Sequence, residues 1–211
     1  MHSASVENLV DDLVPVRPLQ PLRAAGRIAG LTVLAALLVL ALIGPRPDLG
    51  LAAVHPMFLV RTGILALLGI GATGTVLAMA RPAVGSRYTG WRWALAAALV
   101  FPAAAIVYTL QMGLPSLADL TPETGLLCLG ATLVLALGIG AFLADWLRRG
   151  APTSPPRAGW MTGLAAGSLG ALAYSVHCPH NEIMYIGFWY TIAVGLCALL
   201  GRILVPPLVR W

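Results

Sequence analysis

Two of the chain's four histidines and one of its three cysteines fall within ten residues, "AYSVHCPHNE", Ala173 to Glu182, together with one acid and neither Lys nor Arg. A thiol flanked by imidazoles has three chemical uses. Cys178 can join a second thiol in a disulfide, supply a soft ligand for copper, zinc or cadmium beside His177 or His180, or pack as a small hydrophobe. Cys128, Cys178 and Cys197 contain no C-x-x-C and no zinc-finger spacing, so at most one intramolecular bridge forms and one thiol is left over.

The elements that must position these groups are transmembrane helices. The chain has 211 residues, 59% hydrophobic and 10% charged, with mean hydropathy +0.86. A soluble domain carries about a quarter of its residues as charges. A helix needs roughly 20 apolar residues to cross the hydrocarbon core, where every amide must be satisfied internally. Six runs qualify, near Ile28–Ile43, Met57–Ala80, Trp93–Met112, Glu123–Leu147, Gly159–Val176 and Ile183–Val205. The expected fold is therefore all-α, a polytopic six-helix transmembrane sensor domain over residues 27–211 behind a short cytosolic segment, residues 1–26. The N-terminus lacks a basic region and a convincing cleavage site, so it is expected to stay attached.

All 13 positive charges are Arg, and the pI near 9.6 reflects orientation rather than nucleic-acid binding; no direct nucleic-acid partner is expected. Arg17, Arg23 and Arg27 precede the first run; Arg81, Arg87 and Arg92 fill the second connection; Arg148, Arg149 and Arg157 fill the fourth. The bias of Arg toward the cytoplasm puts these inside, with both termini. The first connection, with Arg46 alone, the third, with Asp119 and Glu123, and the fifth, with Cys178, then face outward, where thiols meet oxidants.

Thr121 as N-cap, Pro122 at the first helical position and Glu123 in the first turn mark the start of the fourth span. At 1.5 Å per residue, Cys128 then lies about 10 Å below the outer surface, a depth Cys178 can share. Cys197, nearer the cytoplasmic half, is expected in the core, and His55 in solvent. Arg61, one turn inside the second span, is costly unless it snorkels or pairs; a structural ion pair with Asp119, Glu123 or Glu182 is expected. Gly163, Gly167 and Ala171 form a small-residue stripe for close helix approach, and the six Trp residues are expected mostly as interface anchors.

Ahead of the membrane, Val6, Leu9, Val10 and Leu13 follow the i, i+3, i+4, i+7 spacing of a helix face, with Glu7, Asp11 and Asp12 on the other side. Pro15, Pro18 and Pro21 then impose an extended linker. Two helical turns are unstable alone in water, and an acidic face is unsuited to anionic lipid, so a protein partner is expected to dock here.

The stretches "ENLVDDLVPVRPLQP" at Glu7 to Pro21, "LRRGAPTSPPRAGWMTGLAAGSLGALAYSVHCP" at Leu147 to Pro179, "FWYT" at Phe188 to Thr191 and "GRILVPPLVRW" at Gly201 to Trp211 resemble the NrsF family of bacterial inner-membrane anti-sigma factors. The resemblance implies a multi-pass protein of the bacterial inner membrane, held in the lipid bilayer, whose N-terminal segment holds an extracytoplasmic-function sigma factor. The docking residues would be Val6, Glu7, Leu9, Val10, Asp11, Asp12, Leu13 and Arg17. It further implies release under heavy-metal or oxidant stress sensed by Cys128 and Cys178, with His177 and His180 as further metal ligands or a Cys128–Cys178 disulfide as the alternative. The connection Arg148 to Arg157 would carry the change inward. In the family an acid more often follows Cys-Pro directly, whereas here His180 and Asn181 precede Glu182.

Two rivals belong to other classes. A membrane thiol oxidoreductase passing electrons to a quinone wants two close cysteine pairs, which this chain lacks. A small transporter wants polar residues at mid-depth, and beyond Arg61 there are few, since Gln111 and Asp145 fall near span ends. No enzymatic activity is expected.

Overall fold

The computed structural model describes residues 19–50, 55–81, 90–113 and 120–209. Among them the chain forms six long helices: α1 (Pro21–Leu42), α2 (Pro56–Met79), α3 (Gly90–Met112), α4 (Pro122–Arg148), α5 (Pro155–Tyr174) and α6 (Ile183–Leu208). A 3₁₀ turn, Pro47–Gly50, follows α1. Five helices are long and apolar enough to cross a membrane; α5 alone falls short. Six crossings return the chain to the side on which it started. Arg23, Arg27, Arg81, Arg92, Arg148, Arg149, Arg157 and Arg202 lie at or toward that side, and Arg46 lies opposite.

The amphipathic acidic segment, with Val6 to Leu13 and Arg17, lies outside the described residues. Pro21 does not extend the linker as its spacing predicts. It opens α1 at the first helical position, where its fixed φ and missing N–H cost nothing, and Arg23 and Arg27 ride on the helix.

The low hydropathy of α5 has a packing cause. It sits in the middle of the bundle, most extensively against α6, then α4 and α2, and nearly all its residues from Ala158 to Tyr174 are buried. A helix enclosed by helices has no lipid face to cover, so Gly, Ala, Ser and Thr replace Leu and let backbones approach. A Cβ on Gly163 would overlap the Cys197 carbonyl of α6, and one on Gly167 would press on the Cys197 side chain. The small-residue stripe thus faces α6, with Cys197 buried against it as the sequence suggested.

At the other extreme, α1 buries only Ala24, Ile28 and Val39. Its glycines Gly26 and Gly30 meet nothing within 4 Å. The outer end closes at Gly44, whose φ of +95° suits a residue without Cβ and turns the chain toward Arg46.

Candidate functional site

Cys128 projects from α4 into the bundle and is fully buried. Pro122 starts α4 at the expected position, though Thr121 does not cap with its side chain: it adopts a left-handed conformation with φ 39°, and the Thr124 hydroxyl donates to its carbonyl at 3.0 Å. The sixth helix opens with one α turn, Ile183–Tyr185, and then widens into a π segment, Ile186–Tyr190. Such wide turns recur at functional sites. This one sets Tyr190, buried, beside both thiols.

The loop from Ser175 to Asn181 runs between α5 and α6, and Cys178 hangs from it inward, 1% exposed. The two thiols predicted to share a depth are brought together, close enough to exchange a hydrogen bond. All three cysteines are free. Among the described residues, Arg61 is the cation beside the pair; hydrogen bonding from Cys128, reinforced by the Arg61 charge, shifts the loop thiol Cys178 toward thiolate against the opposing effect of burial.

Arg61 itself is fully buried and finds carbonyls rather than the carboxylates of Glu123 or Glu182; Asp119 lies outside the described residues. Its Nη1 donates to the His180 carbonyl at 2.6 Å, and its Nη2 to those of Cys178 at 3.2 Å and Ser175 at 3.3 Å. In place of Glu123 or Glu182, the cation meets the Ser175 carbonyl at the C-terminal cap of α5, where an orphan carbonyl and the negative end of the helix dipole favour it, and two carbonyls of the loop beyond. The guanidinium also lies over the rings of Phe58, at 5.6 Å, and Tyr190, at 5.2 Å.

A second buried arginine grips the same loop from the other side. Arg46, 2% exposed, donates from Nη2 to Asn181 Oδ1 at 3.2 Å and the Pro179 carbonyl at 3.5 Å. It pairs with Asp48 through both Nε and Nη2, stacks over Phe58 at 4.6 Å, and its backbone N–H reaches the Val176 carbonyl at 3.1 Å. The Arg46 side chain holds the Asp48 carboxyl below the ordinary range. The signal was available: an arginine on the outer side, against the inside bias, with an acid two positions on.

The two imidazoles do not join the thiols. His177 Nδ1 is 2.9 Å from the Gly44 carbonyl, and His180 stacks on Tyr185 at 4.2 Å with Nδ1 3.5 Å from Glu182. Among the described residues no three His, Cys, Asp or Glu side chains converge as a metal site, so the four-ligand set of Cys128, Cys178, His177 and His180 is not assembled. The reason is geometric: the loop turns the histidines outward to neighbouring elements while the cysteine points in. What remains for a soft ion is the sulfur pair. His55 does not join the cluster either; it caps α2 by accepting from the Met57 N–H at 3.1 Å. Two of the six tryptophans are buried against neighbouring helices. Trp146 lies in the core, and Trp189 covers Gly125 while donating to the Leu120 carbonyl at 2.7 Å.

The sequence profile described as "NrsF: Negative regulator of sigma F" matches residues 9–211. The chain belongs to the NrsF family. Its NrsF relatives include a protein named "Anti-sigma-F factor NrsF" from Caulobacter vibrioides, 36% identical over 200 residues, covering 90% of each chain. Another, from Azospira oryzae, is named "Probable anti-sigma-F factor NrsF" and is 35% identical over 189 residues, 84% of this chain and 83% of that one. No solved structure matches this NrsF sequence.

Proposed function

We propose that this chain is a membrane-bound anti-sigma factor of the bacterial inner membrane. It holds an extracytoplasmic-function sigma factor through the acidic segment Val6 to Leu13 and releases it when heavy-metal or oxidant chemistry joins Cys128 to Cys178. The observation that carries the reading is the family match over residues 9–211, which takes in part of the docking segment as well as the whole bundle. The same membership supports a regulatory role.

The buried thiol pair supports the sensing half. A soft divalent ion displaces one proton from each thiol and bonds both sulfurs; an oxidant instead removes two electrons and two protons as the disulfide forms. Either event constrains α4 against the α5–α6 loop. The docking half needs a basic, groove-bearing partner surface, because the segment is acidic with an apolar stripe.

The test is co-purification of the full chain with candidate sigma factors from cells, with and without cadmium. A complex that forms unstressed, dissociates on cadmium and is lost on deleting residues 1–22 is expected. Equal sigma-factor recovery with that deletion would sink the assignment.

A further inference from the structure

The thiol loop touches α1 more closely than its sequence position suggests. The residues on either side of Cys178 hold the segment that leaves α1: the Val176 carbonyl accepts from Arg46 N–H, His177 Nδ1 meets the Gly44 carbonyl, and Pro179 and Asn181 take the Arg46 guanidinium. Three of these four contacts use backbone atoms, and two engage the buried Arg46 charge. The loop and the outer end of α1 therefore cannot move independently without breaking hydrogen bonds out of water, which costs more than it would at a wet surface.

From that end α1 runs inward without a proline or other break after its first residue, about 33 Å for 22 residues. In the sequence, the residues ahead of its inner end are the Pro15 and Pro18 stretch and, before that, the acidic residues Glu7, Asp11 and Asp12. Along this length it is lightly held, with three buried residues and open space beside Gly26 and Gly30. The alternative route is better anchored: the connection after α4 is tied to the end of α2 by Ala151 N–H on the Ala80 carbonyl at 3.0 Å, and Gly150 packs directly on Ala80.

We infer that His177 and Arg46 are positioning residues that couple the Cys178 loop to α1, and that α1 is the rod carrying a change at the thiols to the partner-docking segment. The inference rests on the anti-sigma reading and adds the route, with His177 as a transmitter rather than a metal ligand. Two arrangements of the rod suffice for a switch, provided the stimulus binds them unequally.

The experiment uses the full chain and its sigma factor in cells with a sigma-dependent reporter, and cadmium protection of the thiols against labelling in purified full-length protein. His177→Ala is expected to repress as the wild type does and to keep cadmium protection, yet to lose about fivefold of the cadmium-induced reporter response, the worth of one hydrogen bond. His177→Asn, whose Nδ2 falls where the imidazole Nδ1 lies and can still donate to the Gly44 carbonyl, is expected to recover part of it. A wild-type chain that never represses would remove the anti-sigma reading itself. Normal wild-type behaviour with full release in His177→Ala overturns the coupling alone. If His177→Ala reduces the protein in the membrane, Asn181→Ala, which removes only a side-chain acceptor of Arg46, takes its place, and full cadmium release in that variant overturns the coupling equally.

Discussion

Helices α5 and α1 cross the same membrane and are built on opposite principles. α5 is small-residued, short of apolar content and buried almost all round; α1 is rich in Leu, Val and Ala and buries three residues. One is fixed by its neighbours and the other mostly by lipid. The thiol loop grows from the end of the fixed helix and is tied to the end of the loose one. For the sensing role proposed above, that asymmetry would help, since a rigid base would let a small change at Cys178 displace the partner that yields most easily rather than dissipate in the core.

The comparison can be broken most severely at its glycines. Gly163→Leu on α5 drives a side chain into the backbone of α6 and should cost more than about 3 kcal/mol, abolishing accumulation in the membrane; Gly30→Leu on α1, with nothing nearby, should accumulate normally. Equal behaviour of the two variants in membrane fractions and detergent melting curves would erase the distinction. Next in size is the buried cation. Arg61→Met leaves the carbonyls of Ser175, Cys178 and His180 without their donor, costs about 3 kcal/mol and should make Cys178 label faster than in the wild type, whereas Arg202→Met, on an exposed position of α6, should change neither melting nor the labelling rate.

A smaller effect is expected where α1 ends. Gly44→Ala meets no atom but must hold φ near +95°, a strain of about 1 kcal/mol that should show as a modest fall in melting temperature and a blunted cadmium response. The smallest is a pH effect on the outer clamp. Asp48 is depressed by Arg46, so its contribution is present above the ordinary carboxylate range and is lost only as pH falls through the lowered value. The melting difference between wild type and Asp48→Asn should stay flat from about pH 8 to about pH 5 and close only in stronger acid. A difference that vanished near neutrality would contradict the pairing.

Sequence made the bundle legible because apolar runs of membrane length have few alternatives, and even α5 was found despite its composition. A helix start at Pro122 and a rise per residue put Cys128 at a depth that Cys178 can share, while the family resemblance is what singles the two out as a pair. What stayed hidden is what backbone atoms do. The partners of Arg61 are carbonyls of Ser175, Cys178 and His180, and His177 answers to the carbonyl of Gly44; no side-chain type marks either contact. By side-chain type alone, Arg61 points to a carboxylate and His177 to a metal. Trp189 is ambiguous for a related reason, because a ring that fills the space over Gly125 looks the same in sequence as one lying in the interface.

The central claim is that the outward thiol pair governs what the inward N-terminal segment holds. It is tested most directly by the Cys128→Ser, Cys178→Ser double variant in cells carrying the sigma-dependent reporter, with cadmium added. The predicted result is normal repression and no induction; full cadmium induction in the double variant would contradict it.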